Sequence, residues 1–230
     1  MMRKWIAVGS AVALIALAVS VDLGLLDRFD SLVRAWARPH DIWGPAQVRA
    51  DVIVEGLRPV MAAALLAVFT AACCVIRRSI RPAAFVGVVC MSSATLTVAV
   101  KIAVSRPDPH GLLANDGGSF PSGHMIGVIV CLGLAALLAL PRAGRWIWFI
   151  PALGGGLMAV SLLLQAAHWS TDIAGGVLLA TAVLAVASAS RWRRWLHKVA
   201  QDDQESGAPR VGTASSLTAV GPMGAHGRAG

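Results

Sequence analysis

Charged residues are scarce in this chain. Of its 230 residues only 14% are Asp, Glu, Lys or Arg, whereas 57% are hydrophobic, and the mean hydropathy is +0.69. Soluble domains carry about 25% charged residues. The shortage excludes an ordinary water-soluble domain, and the high apolar content excludes disorder over most of the chain. The remaining class is a polytopic membrane protein built as one main domain.

Motifs for disulfides and metal binding are also lacking. No Cys-x-x-Cys spacing occurs, and the cysteines lie inside apolar stretches, which favours buried or helix-packing roles for Cys73, Cys74, Cys90 and Cys131. No His-Glu-x-x-His sequence is present. We therefore expect no metal and no other cofactor. A zinc site made by His124, His168 and Asp172 stays open as the alternative.

Long apolar runs dominate what is present. They do not alternate as strands would, and a backbone in lipid must satisfy its own hydrogen bonds, so they predict helices. The fold class is thus an all-α polytopic membrane helix bundle with about six transmembrane helices. The predicted spans are Trp5–Val21, Leu57–Ile76, Pro82–Val104, Met125–Leu140, Trp146–Ala167 and Ile173–Ser190. In an alternative interpretation the first is a cleaved signal peptide, since Arg3 and Lys4 precede it and Ala16-Leu17-Ala18 resembles a cleavage site.

The basic residues predict the orientation. They flank four span ends with no acid before Asp202, and the other linkers hold most of the acids. The flanking cations are Arg3, Lys4, Arg77, Arg78, Arg81, Arg142, Arg145, Arg191, Arg193, Arg194 and Lys198. The positive-inside rule places both termini in the cytoplasm of a multi-pass protein of the cell membrane. Because these cytoplasmic flanks account for much of the positive charge, the net charge of +8 sets the membrane orientation. We therefore expect membrane lipids as partners and no nucleic acid. The oligomeric state stays open.

The chain divides into two parts. Residues 1–200 form the six-span domain, and residues 201–230, rich in Gly, Ser and Ala, are expected to be a disordered cytoplasmic tail. In the outward linker Leu25–Leu57, Phe29, Leu32, Val33 and Trp36 recur at helical spacing. This pattern predicts an amphipathic helix lying on the membrane.

Several polar residues gather at the outward ends of the later spans, where ionisable groups indicate function. Pro121-Ser122-Gly123-His124 precedes the fourth span. Ser is a favoured N-cap, and a helix N-terminus binds anions through its free N–H groups and dipole. This turn therefore predicts an anion site with His124 beside it.

A second pair of polar residues stands before the sixth span. His168 and Asp172 are four positions apart, so on a helical turn they share a face. A carboxylate on one imidazole nitrogen fixes the tautomer and leaves the other nitrogen free to attack an electrophile. The pair is a candidate nucleophile with its orienting acid.

Together these residues resemble the type 2 phosphatidic acid phosphatase superfamily. Its motifs are Lys-x6-Arg-Pro, Pro-Ser-Gly-His and Ser-Arg-x5-His-x3-Asp. The second matches in full at residues 121–124. Ser161, His168 and Asp172 match the third, and Lys101 begins the first. The motifs span Lys101–Gly176, about a third of the chain.

Two positions depart from the family pattern. Asp108 and Leu162 stand where the first and third motifs have phosphate-binding arginines. A phosphate dianion in a partly dry site needs cations and hydrogen-bond donors. We expect Arg106, two residues before Asp108, to replace the arginine of the first motif. Arg58 is expected to replace the arginine of the third.

The resemblance implies hydrolysis of a lipid phosphate or an isoprenoid diphosphate of the undecaprenyl type through a phosphohistidine, without metal. In that mechanism His168 is the nucleophile, Asp172 orients it and His124 is the general acid and base. Lys101, Arg106, Ser122 and Gly123 bind the substrate. One alternative is a weak or inactive homologue that binds lipid phosphate or a protein partner. A small transporter or channel is the second, although no internal repeat supports it.

Overall fold

Helices make up the regular structure of the described chain. The computed structural model describes residues 2–113, 117–140 and 146–189. Over these ranges it contains eight α-helices, one short 3-10 helix and no strand. The α-helices are α1 (Met2–Asp22), α2 (Asp27–Ala37), α3 (Pro45–Gly56), α4 (Pro59–Ile76), α5 (Arg81–Val104), α6 (Gly123–Ala139), α7 (Trp146–Gln165) and α8 (Ser170–Ala187). The predicted all-α membrane helix bundle is confirmed.

Each of the six predicted spans contains one long helix. Among the described residues, α1, α4, α5, α7 and α8 are long and apolar enough to cross a membrane. Helix α6 is shorter, at 17 residues, which is the lower limit of about 17 residues for a spanning helix. The predicted boundaries differ from the observed ones by up to three residues. Prolines near the starts of α4 and α5 need no amide partner there.

Helix α6 lies at the centre of the bundle. It packs against α4, α5, α7 and α8, and most of its side chains are buried. Glycines at the contacts permit the close approach: a Cβ on Gly133 would overlap Leu184 of α8, and one on Gly154 of α7 would overlap Leu132. Helices in lipid associate through such close van der Waals packing. The result is that α6 and α8 begin side by side.

The two ends of the bundle differ in charge. At one end the Arg3 guanidinium donates to the carbonyl of Ser188, after α8, and Arg77 donates to the carbonyl of Leu138 in α6 at 2.5 Å. We call this the basic end. The opposite end holds His124, His168 and Asp172, and we call it the site end. The predicted tail 201–230 and six of the predicted flanking cations lie outside the described residues, namely Arg142, Arg145, Arg191, Arg193, Arg194 and Lys198.

The linker after α1 forms two helices. Pro39 interrupts it, since the residue before a proline avoids helical geometry, and Arg38 has φ −137° and ψ 75°. Helix α2 is amphipathic as expected, but its orientation is unusual for a protein in water. Asp30 on its polar face is buried in the protein, whereas Phe29, Leu32 and Trp36 are more than half exposed. That these side chains contact lipid stays a prediction.

Candidate active site

The start of α6 forms one side of the site. Ser122 is its N-cap, with an extended backbone and its Oγ accepting the Met125 N–H at 3.5 Å. The Ser122 N–H donates to the backbone carbonyl of Asp172 at 3.0 Å. This bond joins the Pro-Ser-Gly-His turn directly to the first turn of α8, so two motifs about fifty residues apart form one structure.

Two glycines of α8 allow this contact. A Cβ on Gly175 would lie 2.6 Å from the Phe120 ring, and one on Gly176 would lie 2.7 Å from the Met125 Cβ. Phe120 and Met125 are fully buried, so moving either side chain would disrupt the close packing around it. The Asp172-Ile-Ala-Gly-Gly sequence therefore sets the distance between α8 and the start of α6.

The histidines face one another across this junction. Their ring centroids are 5.8 Å apart at an interplanar angle of 67°. The His168 Nδ1 lies 3.4 Å from the Asp172 Oδ2, and the same oxygen accepts the Trp169 N–H at 3.1 Å. Asp172 is completely buried. With Nδ1 directed at the carboxylate, Nε2 is the nitrogen left to meet a substrate.

Lys101 and Arg58 supply positive charge near His124. Both lie within electrostatic range of that ring. The Lys101 ammonium is buried and donates to the carbonyl of Gly118 at 2.7 Å. Gly118 has φ +138°, and a Cβ there would lie 2.7 Å from the backbone nitrogen of Arg106, so glycine is required. Arg58 is mostly exposed and pairs with Glu55 at 2.5 Å.

Arg106 binds carboxylates of the protein itself. Its Nη1 donates to Asp172 at 3.1 Å and to the Thr171 hydroxyl at 2.7 Å. Its Nη2 donates to Asp30 at 2.8 Å and to Asp27 at 3.2 Å. These contacts can use all four N–H bonds of the two terminal nitrogens. The predicted role of Arg106 as a phosphate ligand stays a prediction and would require exchange of one of these partners.

Asp30 is a site neighbour that the sequence pattern did not reveal. It is 1% exposed and accepts hydrogen bonds from Ser170, Thr171 and Arg106. Burial opposes its ionisation, yet these hydrogen bonds hold its pKa below the ordinary value. The available signal was an acid on the polar face of an amphipathic helix, and nothing local identifies its partners, which lie 76 to 141 positions away.

The two family arginine positions have other roles here. Leu162 is fully buried in the core between the helices. The Asp108 Oδ1 accepts the N–H groups of His110 and Leu112, both at 2.8 Å, and so organises a loop turn. Neither position provides a cation.

A cavity of about 570 Å³ opens beside Arg106 and Trp169. Its lining includes Asp22, Asp27 and Asp108 and neither histidine of the site. Three carboxylates against the single Arg106 cation make this lining unfavourable for a phosphate dianion. Among the described residues, no group of three His, Cys, Asp or Glu side chains is placed to hold a metal ion.

A bundle of apolar helices with a paired-histidine site at one end defines a multi-pass membrane protein. A model of the PAP2 superfamily matches residues 81–196, just over half of the chain, and the chain belongs to this superfamily. The resemblance stated from the motifs is thereby confirmed.

One solved structure shares the fold. It is the crystal structure of the first transmembrane PAP2-type phosphatidylglycerolphosphate phosphatase from Bacillus subtilis, with 18% identity and a TM-score of 0.66. The match covers 90% of this chain and 100% of that one. No curated protein sequence matches the chain.

Proposed function

We propose that this chain is a membrane phosphatase that hydrolyses a lipid phosphate or an isoprenoid diphosphate of the undecaprenyl type. The observation that carries the proposal is the His168–Asp172 pair facing His124 at the start of α6. Membership of the PAP2 superfamily supports phosphatase activity in general.

The proposed reaction has two steps. The His168 Nε2 attacks phosphorus, the bond from phosphorus to the leaving oxygen breaks, and His124 gives that oxygen a proton. Water then attacks the phosphohistidine, His124 takes the water proton, and inorganic phosphate leaves with His168 restored. Asp172 holds the Nδ1 proton and stabilises the positive ring.

The phosphoryl oxygens need donors in both steps. Lys101, Ser122 and the Gly123 amide are proposed to hold them, since a helix start offers free N–H groups and Lys101 adds charge. Arg58 is a further proposed donor because it is exposed and close enough to His124 to act on it electrostatically. The reaction is proposed to need no metal.

The substrate class follows from the location of the site. The site lies at one end of a helix bundle whose outer surface is apolar, with exposed side chains such as Leu65, Val68 and Leu153. A lipid substrate can keep its tail in the bilayer while its phosphate reaches the histidines. We propose that this end faces outward from the cell membrane and that both termini are cytoplasmic. Phosphatidylglycerol phosphate, phosphatidic acid and undecaprenyl-type diphosphate are the candidates to compare.

An inactive or weak phosphatase is the second candidate, and a specific observation favours it. Asp108 and Leu162 supply no cation, and the terminal nitrogens of Arg106 are occupied by Asp27, Asp30, Thr171 and Asp172. Such a protein would bind lipid phosphate, or a protein partner, without turnover.

A transporter or channel has less support. In the described part of the chain, the buried charged side chains are Asp30, Lys101, Arg106 and Asp172. All four lie at the site end, whereas a transport path needs polar groups near the middle of the membrane.

Phosphate release by the purified full chain in detergent tests the proposal. Phosphatidic acid, phosphatidylglycerol phosphate and an isoprenoid diphosphate are supplied separately, each with EDTA. We expect turnover that His168→Ala abolishes and that His110→Ala, a change to an exposed histidine of a nearby loop, leaves unchanged. Binding without turnover would favour the inactive homologue, and turnover unaffected by His168→Ala would remove His168 as the nucleophile.

A further inference from the structure

Helix α2 reaches the candidate active site through the buried side chain of Asp30. Asp30 is fully buried, although it belongs to a helix outside residues 81–196 that match the family. Its Oδ1 accepts the Ser170 hydroxyl at 2.5 Å and the Thr171 N–H at 3.0 Å. Its Oδ2 accepts the Thr171 hydroxyl at 2.5 Å. Asp30 therefore binds the first turn of α8 at Ser170 and Thr171, which directly precede Asp172.

Arg106 joins this carboxylate to the one beside His168. Its Nη2 lies 2.8 Å from Asp30 and its Nη1 lies 3.1 Å from Asp172. The guanidinium carbon also stands 5.1 Å from the centre of the Trp169 ring, which restricts its position from another side. A planar guanidinium with two diverging nitrogens can bridge two carboxylates, whereas an ammonium acts as a point charge.

The contacts of Arg106 with both carboxylates also reduce the repulsion between Asp30 and Asp172. Asp172 belongs to the first turn of α8, and Asp30 of α2 is buried against that turn. Buried like charges destabilise one another. The positive end of the α8 dipole and the Arg106 charge together compensate for them. The carboxylate of Asp172 can then stay ionised with its Oδ2 directed at His168.

We propose that Asp30 and Arg106 are positioning residues, which fix the Asp172 carboxylate and through it the orientation and tautomer of His168. This inference rests on the proposed function, in which His168 is the nucleophile. The distance of 3.4 Å between the His168 Nδ1 and the Asp172 Oδ2 makes the positioning important. A bond of that length is weak by itself, so small displacements of Asp172 decide whether it forms.

The pair makes a specific kinetic prediction. Asp30→Asn is expected to lower kcat by about 10- to 100-fold, the loss typical when the hydrogen-bond partner that orients a functional ligand is removed, with KM for phosphatidic acid nearly unchanged. Arg106→Lys keeps the charge but cannot bridge, so it is expected to lose a similar factor in kcat. A rise in KM without a fall in kcat for Arg106→Lys would instead identify Arg106 as a phosphate ligand and overturn its positioning role.

Asp27→Asn is the matched control. Asp27 contacts the same Arg106 nitrogen at 3.2 Å but is 67% exposed, and exposed ion pairs contribute little. We expect it to change kcat by less than about fivefold. Equal losses in Asp27→Asn and Asp30→Asn would contradict the proposal, because a bridge through the buried carboxylate requires the two to differ.

A double-mutant cycle separates positioning from simple structural support. If Asp30 acts through Asp172, adding Asp30→Asn to Asp172→Asn costs no further activity. Losses that multiply would show that Asp30 only stabilises the fold. If Asp30→Asn does not fold, Ser170→Ala removes one of its hydrogen bonds more gently, with a smaller expected loss of kcat at constant KM; an unchanged kcat would overturn the proposal.

The tautomer of His168 gives a readout that does not depend on turnover. With the full chain labelled at histidine nitrogen, and His168→Ala to assign the signal among six histidines, we expect a proton held on Nδ1 in the wild type. Asp30→Asn should give a mixture of tautomers. An unchanged signal would overturn the positioning proposal. If the wild type hydrolyses no lipid phosphate but Asp30→Asn still loses the Nδ1 preference that the wild type shows, the positioning proposal is supported while the proposed function fails.

Discussion

The site end and the basic end of the bundle use charge in different ways. At the basic end, Arg3 and Arg77 donate to backbone carbonyls of Ser188 and Leu138, which satisfies groups that helix ends leave unpaired. At the site end, Asp30 and Asp172 are buried, and both accept hydrogen bonds from the buried Arg106. The guanidinium groups of the basic end are only partly buried, whereas a fully buried charge is strongly destabilising unless it is paired. Among the residues that the structure describes, the fully buried charges therefore lie at the site end.

Asp172→Asn should have the largest effect at the site end. The amide cannot hold the Nδ1 proton of His168 in the same way, so the ring takes the wrong tautomer, and kcat should fall on the order of 10⁴-fold. Steady-state hydrolysis of phosphatidic acid measures the loss. Asp22→Asn, a change to an exposed acid at the same end, is the control and should keep full activity. A kcat within tenfold of the wild type after Asp172→Asn would remove the orienting role.

Arg58 and Arg77 allow a direct comparison of the two ends. Arg58→Ala is expected to lower kcat/KM by about tenfold, the lower range for a charged hydrogen bond to phosphate. Arg77→Ala should leave kcat/KM unchanged and lower the free energy of unfolding by about 1 kcal/mol, because one hydrogen bond to Leu138 is lost. The measurements are lipid phosphate hydrolysis and thermal unfolding. Equal kinetic effects of the two changes would show that Arg58 supplies only general positive charge.

The smallest expected effect is the change with pH in the stability that Asp30 contributes. Burial opposes ionisation of Asp30, yet its hydrogen bonds from Ser170, Thr171 and Arg106 hold the pKa below the ordinary value of 3.8. A lowered pKa in the folded protein means that the carboxylate stabilises the fold above about pH 4 and that this contribution declines as the pH falls further. Asp30→Asn should therefore be less stable by about 2 kcal/mol at pH 5 to 7, with a smaller deficit at pH 3. Thermal unfolding of both proteins measures this. A deficit that already declines between pH 7 and 5 would mean that the pKa is raised.

Much of the fold and part of the site were predictable from local patterns. Apolar runs such as Pro82–Val104 predicted α5 within one residue, because length and hydropathy determine a spanning helix. The Pro121-Ser122-Gly123-His124 turn predicted the start of α6. The spacing of His168 and Asp172 predicted their contact, since positions four apart meet on one helical turn.

Contacts between distant segments were not predictable in the same way. Arg106 was expected to bind phosphate, and its observed partners are Asp27, Asp30, Thr171 and Asp172. The polar face of α2 gives no local sign of whether it meets water or protein. Only the packing of α1 along α8 brings the start of α2 over the first turn of α8.

The sequence by itself determined the class of protein, the six apolar helices and the histidine and aspartate pair, because each follows from hydropathy or from spacing within one helical turn. The tertiary structure alone decided which charges meet. Burial makes an unpaired charge costly, so the partners of Arg106 were selected by the three-dimensional arrangement of α2, α5 and α8. The scarcity of charge in the chain is thus matched by dense pairing of the few charges it buries.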